Sequence, residues 1–277
     1  MSDARTLLNE AAAQLSQAGI ESARKDARLL LAYAMGVAPE SLALSNPEVR
    51  NESLFAQLLE RRLKHEPVAY ITGEREFWSL PFAVGPGCLI PRPESELLIE
   101  QMLAHFPKDA ELDILDLGTG SGCLIIAALK EFTRAYGTAV DSSPAALKWA
   151  KQNAESFGVL NRTDFRQSDW LETGTFDVLL SNPPYIPTGD IAGLMPDVAR
   201  YEPVSALDGG PDGLAAYRAL ASRTGALLRP GGWLFWEIGI GQAEAVSSLL
   251  AQAGLSVTAV VPDLAGIPRC VAARRTT

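Results

Sequence analysis

The sequence predicts an α/β protein: a mostly parallel sheet with helices on both faces, preceded by a small helical bundle and a β-hairpin. Three observations predict it. From residue 112 onward, short runs rich in Val, Leu and Ile alternate with stretches that are apolar at helical spacing. Residues 1–73 show helical spacing alone. Between them, residues 74–92 switch to an aromatic, proline-broken pattern. The expected parts are therefore a helical bundle (1–73), a hairpin linker (74–92) and a sheet domain (93–277).

In the bundle, Leu7, Leu8, Ala11, Ala12 and Leu15 share a helix face, and Gly19 stops that helix. Ser22 is placed to cap a second helix carrying Ala27, Leu30, Leu31 and Ala34, ended by Gly36. Pro39 opens a short third at Glu40–Leu44. Asn51 is placed to cap a fourth with Leu54, Phe55, Leu58, Leu59 and Leu63 on one face. Arg61, Arg62 and Lys64 at its end read as a solvated face or, alternatively, a partner-binding patch.

Glu76 to Val84 reads as a hairpin with an aromatic corner. Pro93 suits the first turn of a helix carrying Glu94 to Leu103. Strands are expected at Leu112–Leu117, at Thr138–Val140 ending at Asp141, at Thr163–Gln167 and at Phe176–Ser181. Further strands are expected at Trp233–Ile238, Val257–Val261 and Cys270–Ala273. Helices fall between them. Residues 186–211 read as a long irregular stretch of the kind that serves as a lid.

The 277 residues are 47% hydrophobic and carry a net charge of −9. Residues 1–73 hold 8 basic and 9 acidic side chains, so eight of those nine negative charges fall in residues 74–277. Such a domain repels phosphate backbones, and direct nucleic-acid binding is not expected. No apolar run reaches 18 residues, and Met1 to Arg5 lacks a signal peptide's apolar core, so a cytoplasmic protein without membrane attachment is expected. Cys88, Cys123 and Cys270 fit no disulfide or metal spacing. His65 and His105 are the only imidazoles, so no metal site is expected.

Chemistry concentrates at strand ends. Asn182-Pro183-Pro184-Tyr185 ends an apolar strand, and that is the sheet edge where open α/β folds bind ligands. Proline carbonyls, an Asn amide and a Tyr ring together suit a planar group bearing an –NH2. Gly118-Thr119-Gly120-Ser121-Gly122 lies between a strand and a helix, where glycines let a ligand approach the backbone. Asp141, 19 residues after Gly122, is placed to accept from two ribose hydroxyls. The G-x-G-x-G spacing suits an adenosine ligand without a pyrophosphate. Asp169 has two readings, an acceptor for an adenine amino group beside Trp170 or a cap beside a core aromatic. Asp116 either orients the glycine loop or the ligand, or is purely structural.

The span Gly118 to Tyr185 resembles a class I S-adenosylmethionine-dependent methyltransferase, with a Rossmann-like sheet. A longer ordered series narrows the resemblance. It comprises Glu74-Arg75-Glu76-Phe77-Trp78, Ile90-Pro91-Arg92-Pro93, Asp116 to Gly122, Ser168-Asp169-Trp170, Asn182 to Ile186, Tyr201-Glu202-Pro203 and Glu237-Ile238-Gly239. That series is similar to the peptide chain release factor glutamine methyltransferase family (PrmC/HemK).

The resemblance implies transfer of a methyl group from S-adenosylmethionine to the amide nitrogen of a glutamine in a release factor's Gly-Gly-Gln loop, with S-adenosylhomocysteine as product. It implies cofactor binding by Gly118, Thr119, Gly120, Ser121, Gly122, Asp141, Trp170 and Asn182; Asp169 joins them as a candidate on its strand-end position alone. Asn182, Pro183, Pro184 and Tyr185 would bind the glutamine, with Asn182, Pro183 and Tyr185 aligning it for reaction. A monomer is expected, with the helical bundle docking the substrate protein. The competing readings are a glutamine methyltransferase of a ribosomal protein, an adenine or cytosine amino-methyltransferase, and an inactive cofactor-binding protein.

Overall fold

The computed structural model describes residues 3–44, 47–170 and 173–276. The chain divides into two compact units, Met1–Glu74 with Met195–Tyr201, and Arg75–Leu194 with Glu202–Thr277.

The first unit is helical: α1 Ala4–Gln17, α2 Ala23–Met35, α3 Ser41–Leu44, α4 Glu52–Leu63 and α5 Val68–Thr72. Leu15, Ala27, Leu30, Leu31, Phe55 and Leu58 interlock in its core. The caps differ from expectation. Ser22 and Asn51 occupy the cap positions but make no capping hydrogen bond. Ser22 donates instead to Asp26 at 2.7 Å, and Asn51 to the Ala34 carbonyl at 3.4 Å. Asp3 caps α1 through the Thr6 N–H. α5 escapes sequence reading because five residues are too few to show a helical period.

The basic cluster at the end of α4 also needs correction. Arg62 is 4% exposed and not solvated. It donates to Asp26 at 2.8 Å, to the Glu66 carbonyl at 3.1 Å and to Asp197 at 3.2 Å. Arg61 pairs with Glu66, and Lys64 with Glu60. Burial of a guanidinium requires such partners, and these come from three separate stretches of chain.

In the second unit β1 Glu74–Phe77 and β2 Leu80–Ala83 form the hairpin, turned by Trp78 and Ser79 at positive φ. The elements that follow are α6 Glu96–His105, β3 Asp113–Leu117, α7 Cys123–Glu131, β4 Tyr136–Asp141, α8 Pro144–Ser156, β5 Thr163–Gln167 and β6 Phe176–Ser181. After α9 Pro196–Tyr201, which belongs to the first unit, come α10 Ala215–Leu227, β7 Leu228–Glu237, α11 Ala243–Gln252, β8 Leu255–Pro262 and β9 Pro268–Arg275. Residues 186–211 are not irregular. They hold 3-10 turns at Thr188–Gly193 and Val204–Ala206 on either side of α9.

The strand order is β5-β4-β3-β6-β7-β9-β8, parallel from β5 to β7 and antiparallel at both β9 pairings. Strand residues alternate between two cores. Ile114, Val178, Leu180 and Phe235 face α6 and α7, while Leu115, Leu179, Leu234 and Trp236 face α10 and α11. Strands buried on both faces read as continuous apolar runs, which is why they were visible in the sequence.

Candidate active site

The sheet register brings the loops together. Leu117 pairs with both Val140 and Ser181, so Gly118, Asp141 and Asn182 leave the carboxyl edge as neighbours. Asp141 pairs with Gln167, which brings Ser168-Asp169-Trp170 into the same row. Ser181 pairs with Trp236, which adds Glu237. The order in which strands are added reverses at β3: β4 and β5 lie on one side of it and β6 on the other, all parallel. Ligand crevices in open α/β sheets form at such a point.

A cavity lies there, lined by Gly118, Asp141, Asp169, Trp170, Asn182 and Pro184, and also by Gly87, Leu89, Pro203, Ser205 and Ala206 among others. Of the residues singled out from the sequence, Gly118, Asp141, Asp169, Trp170, Asn182 and Pro184 line it. Thr119, Gly120, Ser121 and Gly122 form the turn beneath it, with Thr119 and Ser121 buried. Pro183 is buried, and Tyr185, partly buried, does not line the cavity and packs against the core around Leu179 and Trp236.

The glycine turn is held from within. Gly118 and Thr119 N–H both donate to the Val140 carbonyl at 2.9 Å, Gly122 N–H to Thr119 at 2.8 Å, and Gly120 N–H to Asp141 Oδ2 at 2.9 Å. Loop amides spent in this way do not cradle a phosphate. Asp141 Oδ1 accepts from Ser143 N–H at 2.9 Å. Burial raises the Asp141 carboxyl, against the pull of those N–H donors. Asp116, wholly buried, accepts from Thr119 Oγ1 at 2.7 Å through Oδ2, while among the described residues no partner meets its Oδ1 or the Ser121 hydroxyl at good hydrogen-bond geometry. Burial pushes Asp116 up to about 7. Gly118 has φ +75°, and a Cβ there would lie 3.2 Å from Trp170. Trp170 itself has φ +59°, a costly conformation for a bulky residue and one often met at functional sites.

The chemistry of the lining suits an adenosine ligand carrying positive charge. Among the described residues Asp141 and Asp169 are its only charged side chains, and no Lys or Arg lines it. A pyrophosphate would meet repulsion, whereas a sulfonium with an amino group would meet attraction.

Four residues without an assigned role in the sequence reading, Ser95, Glu202, Glu237 and Gln242, form hydrogen-bond networks around the Asn-Pro-Pro-Tyr edge and around Ile90 and Arg92. The Asn182 amide donates to Ser95 Oγ at 3.0 Å, and Ser95 donates to the Glu237 carboxylate. Tyr185 hydroxyl donates to the other Glu237 oxygen at 3.3 Å. Gln242 donates to the Tyr185 carbonyl at 2.9 Å. Glu202, 4% exposed, accepts from Ile90 N–H at 3.0 Å and from Arg92 at 2.5 Å. Glu202 and Glu237 fall in motifs of the ordered series. Ser95 and Gln242 lie outside it, and no sequence signal marks them.

Cys88 and Cys270 are buried and Cys123 partly so. Burial raises all three thiols, Cys123 to about 12, which keeps them protonated and unreactive at neutral pH. Among the described residues, no group of three or more His, Cys, Asp or Glu could hold a metal ion. Among them, too, no helix is long and apolar enough to cross a membrane.

A seven-stranded sheet of this order, switching direction at a glycine turn beside an Asn-Pro-Pro-Tyr edge, defines a class I methyltransferase. Solved structures share that fold. A Pyrococcus furiosus methyltransferase superposes with a TM-score of 0.55 at 19% identity, covering 80% of this chain and 100% of its own. The Thermus thermophilus 16S rRNA N2 G1207 methyltransferase, in complex with AdoMet and guanosine, gives 0.51 at 19% identity, covering 73% of this chain and 49% of its own. The methyltransferase small domain family matches residues 94–193, and the PrmC N-terminal domain family matches residues 6–73. A release factor glutamine methyltransferase of Rhodospirillum rubrum is 43% identical over 97% of this chain and 84% of its own. One from Cereibacter sphaeroides is 45% identical over 96% of both. The chain belongs to the release factor glutamine methyltransferase family.

Proposed function

We propose that this protein transfers the methyl group of S-adenosylmethionine to the side-chain amide nitrogen of the glutamine in a release factor's Gly-Gly-Gln motif. The observation that carries the reading is the Asn182 side chain in the wall of a cavity whose only charged groups, among the described residues, are carboxylates. Its amide nitrogen is occupied by Ser95, and among the described residues no donor takes its Oδ1. Kinship with release factor glutamine methyltransferases supports the same substrate. The cytoplasm, where release factors work, is the expected site of action.

Bound S-adenosylmethionine supplies a methyl group made electrophilic by a sulfonium. Asp141 would accept from the ribose hydroxyls, Asp169 from the adenine amino group, and Trp170 would pack on the ligand above Gly118. Asn182 Oδ1 and the Pro183 carbonyl, which no described donor occupies, would accept the two hydrogens of the substrate amide. An amide nitrogen is a poor nucleophile because its lone pair is delocalised. Binding both hydrogens would turn that lone pair toward the methyl group, and alignment of this kind would supply the rate. Tyr185 would pack against the amide plane. The product nitrogen loses its proton to water.

Incubation with labelled S-adenosylmethionine and, separately, purified release factor, ribosomal protein and DNA tests the reading. Label in the release-factor glutamine is expected. Label in DNA or in the ribosomal protein instead would refute it.

A further inference from the structure

The orientation of the Asn182 amide is decided by a proton count two residues away. Ser95 and Glu237 are 2% and 1% exposed. Ser95 Oγ lies within hydrogen-bond reach of both Asn182 Nδ2, at 3.0 Å, and a Glu237 carboxylate oxygen. A serine hydroxyl has one proton to give, and an ionised carboxylate has none. When Glu237 is ionised, the Ser95 proton must go to it. The lone pairs of Ser95 then face Asn182, and only the NH2 end of that amide fits them. Asn182 Oδ1 is left facing the cavity. When Glu237 is protonated it can donate to Ser95, Ser95 can donate to Asn182, and the amide turns over to present NH2.

We propose that Ser95 and Glu237 are positioning residues for the methyl acceptor, acting as a polarity relay that keeps the Asn182 oxygen toward the substrate amide. The proposal rests on the reading of Asn182 as an acceptor for the glutamine amide. It goes further in naming what sets that residue's orientation.

The surroundings of Glu237 fit a group that stays ionised at a cost. Tyr185 holds its second oxygen at 3.3 Å, and Tyr217 from α10 donates to its backbone carbonyl at 2.8 Å. The Arg269 guanidinium from β9 favours the ionised form, and Glu94, beside Ser95, opposes it. Cys123 and Cys270, facing it from α7 and β9, are protonated thiols, and Tyr185 and Tyr217 are protonated phenols. Burial outweighs these neighbours and pushes Glu237 up to about 7. The relay is therefore set for Oδ1 above that pH and reverses below it.

The test uses the full chain, labelled S-adenosylmethionine and intact release factor. Ser95→Ala is expected to lower kcat by about tenfold or more, leaving the KM for release factor and the calorimetric Kd for S-adenosylmethionine within about twofold. Ser95→Thr, which keeps the hydroxyl, should restore kcat. Wild-type kcat should fall as the pH is lowered through about 7, and Glu237→Gln, which cannot titrate, should lose that limb. In the free protein, the Asn182 side-chain NH2 signal in nuclear magnetic resonance, assigned by its loss in Asn182→Ala, should exchange faster with solvent in Ser95→Ala.

Unchanged kcat and unchanged exchange in Ser95→Ala would overturn the relay, as would an acid limb retained in Glu237→Gln. A loss shared equally by kcat, KM and cofactor Kd and unrescued by threonine would reduce Ser95 to structural support and overturn it too. If Ser95→Ala does not fold, Ser95→Thr and the Glu237→Gln profile still decide. Full activity in Asn182→Ala, or wild-type enzyme inactive on glutamine, would remove the underlying reading instead, because the exchange experiment contains no substrate.

Discussion

Replacing Asp141 by alanine separates two jobs that the structure gives one carboxylate. Oδ2 holds Gly120 N–H and Oδ1 holds Ser143 N–H, each at 2.9 Å, and the same oxygens keep lone pairs for the proposed ribose hydroxyls. Hydrogen bonds to a charged group contribute about 1.5–3 kcal/mol, so the Kd for S-adenosylmethionine should rise roughly 10- to 150-fold. The orphaned Gly120 and Ser143 amides are only partly buried and can take water, so the loss of stability should be smaller, about 1–2 kcal/mol. Calorimetry and thermal unfolding of the free protein measure the two separately. Loss of affinity alone could come from a loosened glycine turn, so the ligand must be varied as well. Adenosine should bind wild type better than 2′,3′-dideoxyadenosine does, and that difference should vanish in Asp141→Ala, giving a coupling energy between carboxylate and hydroxyls. A lowered melting temperature with an undiminished preference for the hydroxyls would show that Asp141 only straps the loop. The ribose assignment would then be wrong.

Asn182→Ala should abolish methyl transfer while leaving the melting temperature and most cofactor affinity intact; near-normal turnover would end the alignment mechanism. Asp26→Ala should destabilise the protein by about 2–4 kcal/mol, since it strips the closest partner from the buried Arg62, and chemical denaturation reads it directly. Gly213→Ala should lower both stability and kcat: φ there is +74° and a Cβ would lie 2.4 Å from the Tyr185 carbonyl oxygen, so the Asn-Pro-Pro-Tyr edge must shift. Asp116 is raised by burial from its unfolded value to about 7, so the folded state holds an extra proton between about 4 and 7. Stability from this group is therefore full below that window and falls as pH rises through it, by up to about 1.4 kcal/mol per pH unit. Asp116→Asn should flatten that part of the stability–pH curve, and an unchanged curve would refute the assignment.

The sheet was legible because burial on both faces writes strands as continuous apolar runs. Phe176–Ser181 could be placed to the residue for that reason, and the strand read as Leu112–Leu117 to within one, since it begins at Asp113. The cofactor side of the cavity was legible because its features are local. A glycine turn, an acidic strand end and a proline pair each announce themselves within a few residues. α9 was not legible, since six residues set between two 3-10 turns carry no period. Arg62 was misjudged for a different reason. A charged residue at a helix end reads as solvated until the chain supplies partners 36 and 135 positions away.

The same limit explains why Ser95 and Glu237 carried no assigned role. Asn182, Ser95 and Glu237 are joined across 87 and 142 positions of sequence, through a serine of ordinary appearance and a glutamate that ends an apolar strand. What distinguishes that glutamate is its burial. An ionised carboxylate costs several kcal/mol to remove from water unless donors compensate it. Here the donors are a serine and a tyrosine, and the tyrosine belongs to the Asn-Pro-Pro-Tyr edge itself. The tetrapeptide is thus held at its first and last residues by one carboxylate, through Ser95 to Asn182 and directly to Tyr185. Replacing Glu237 by an apolar residue of similar volume could leave the fold intact or even more stable. It would also release both ends of the edge, and the buried charge is explained by the geometry it imposes rather than by stability it adds.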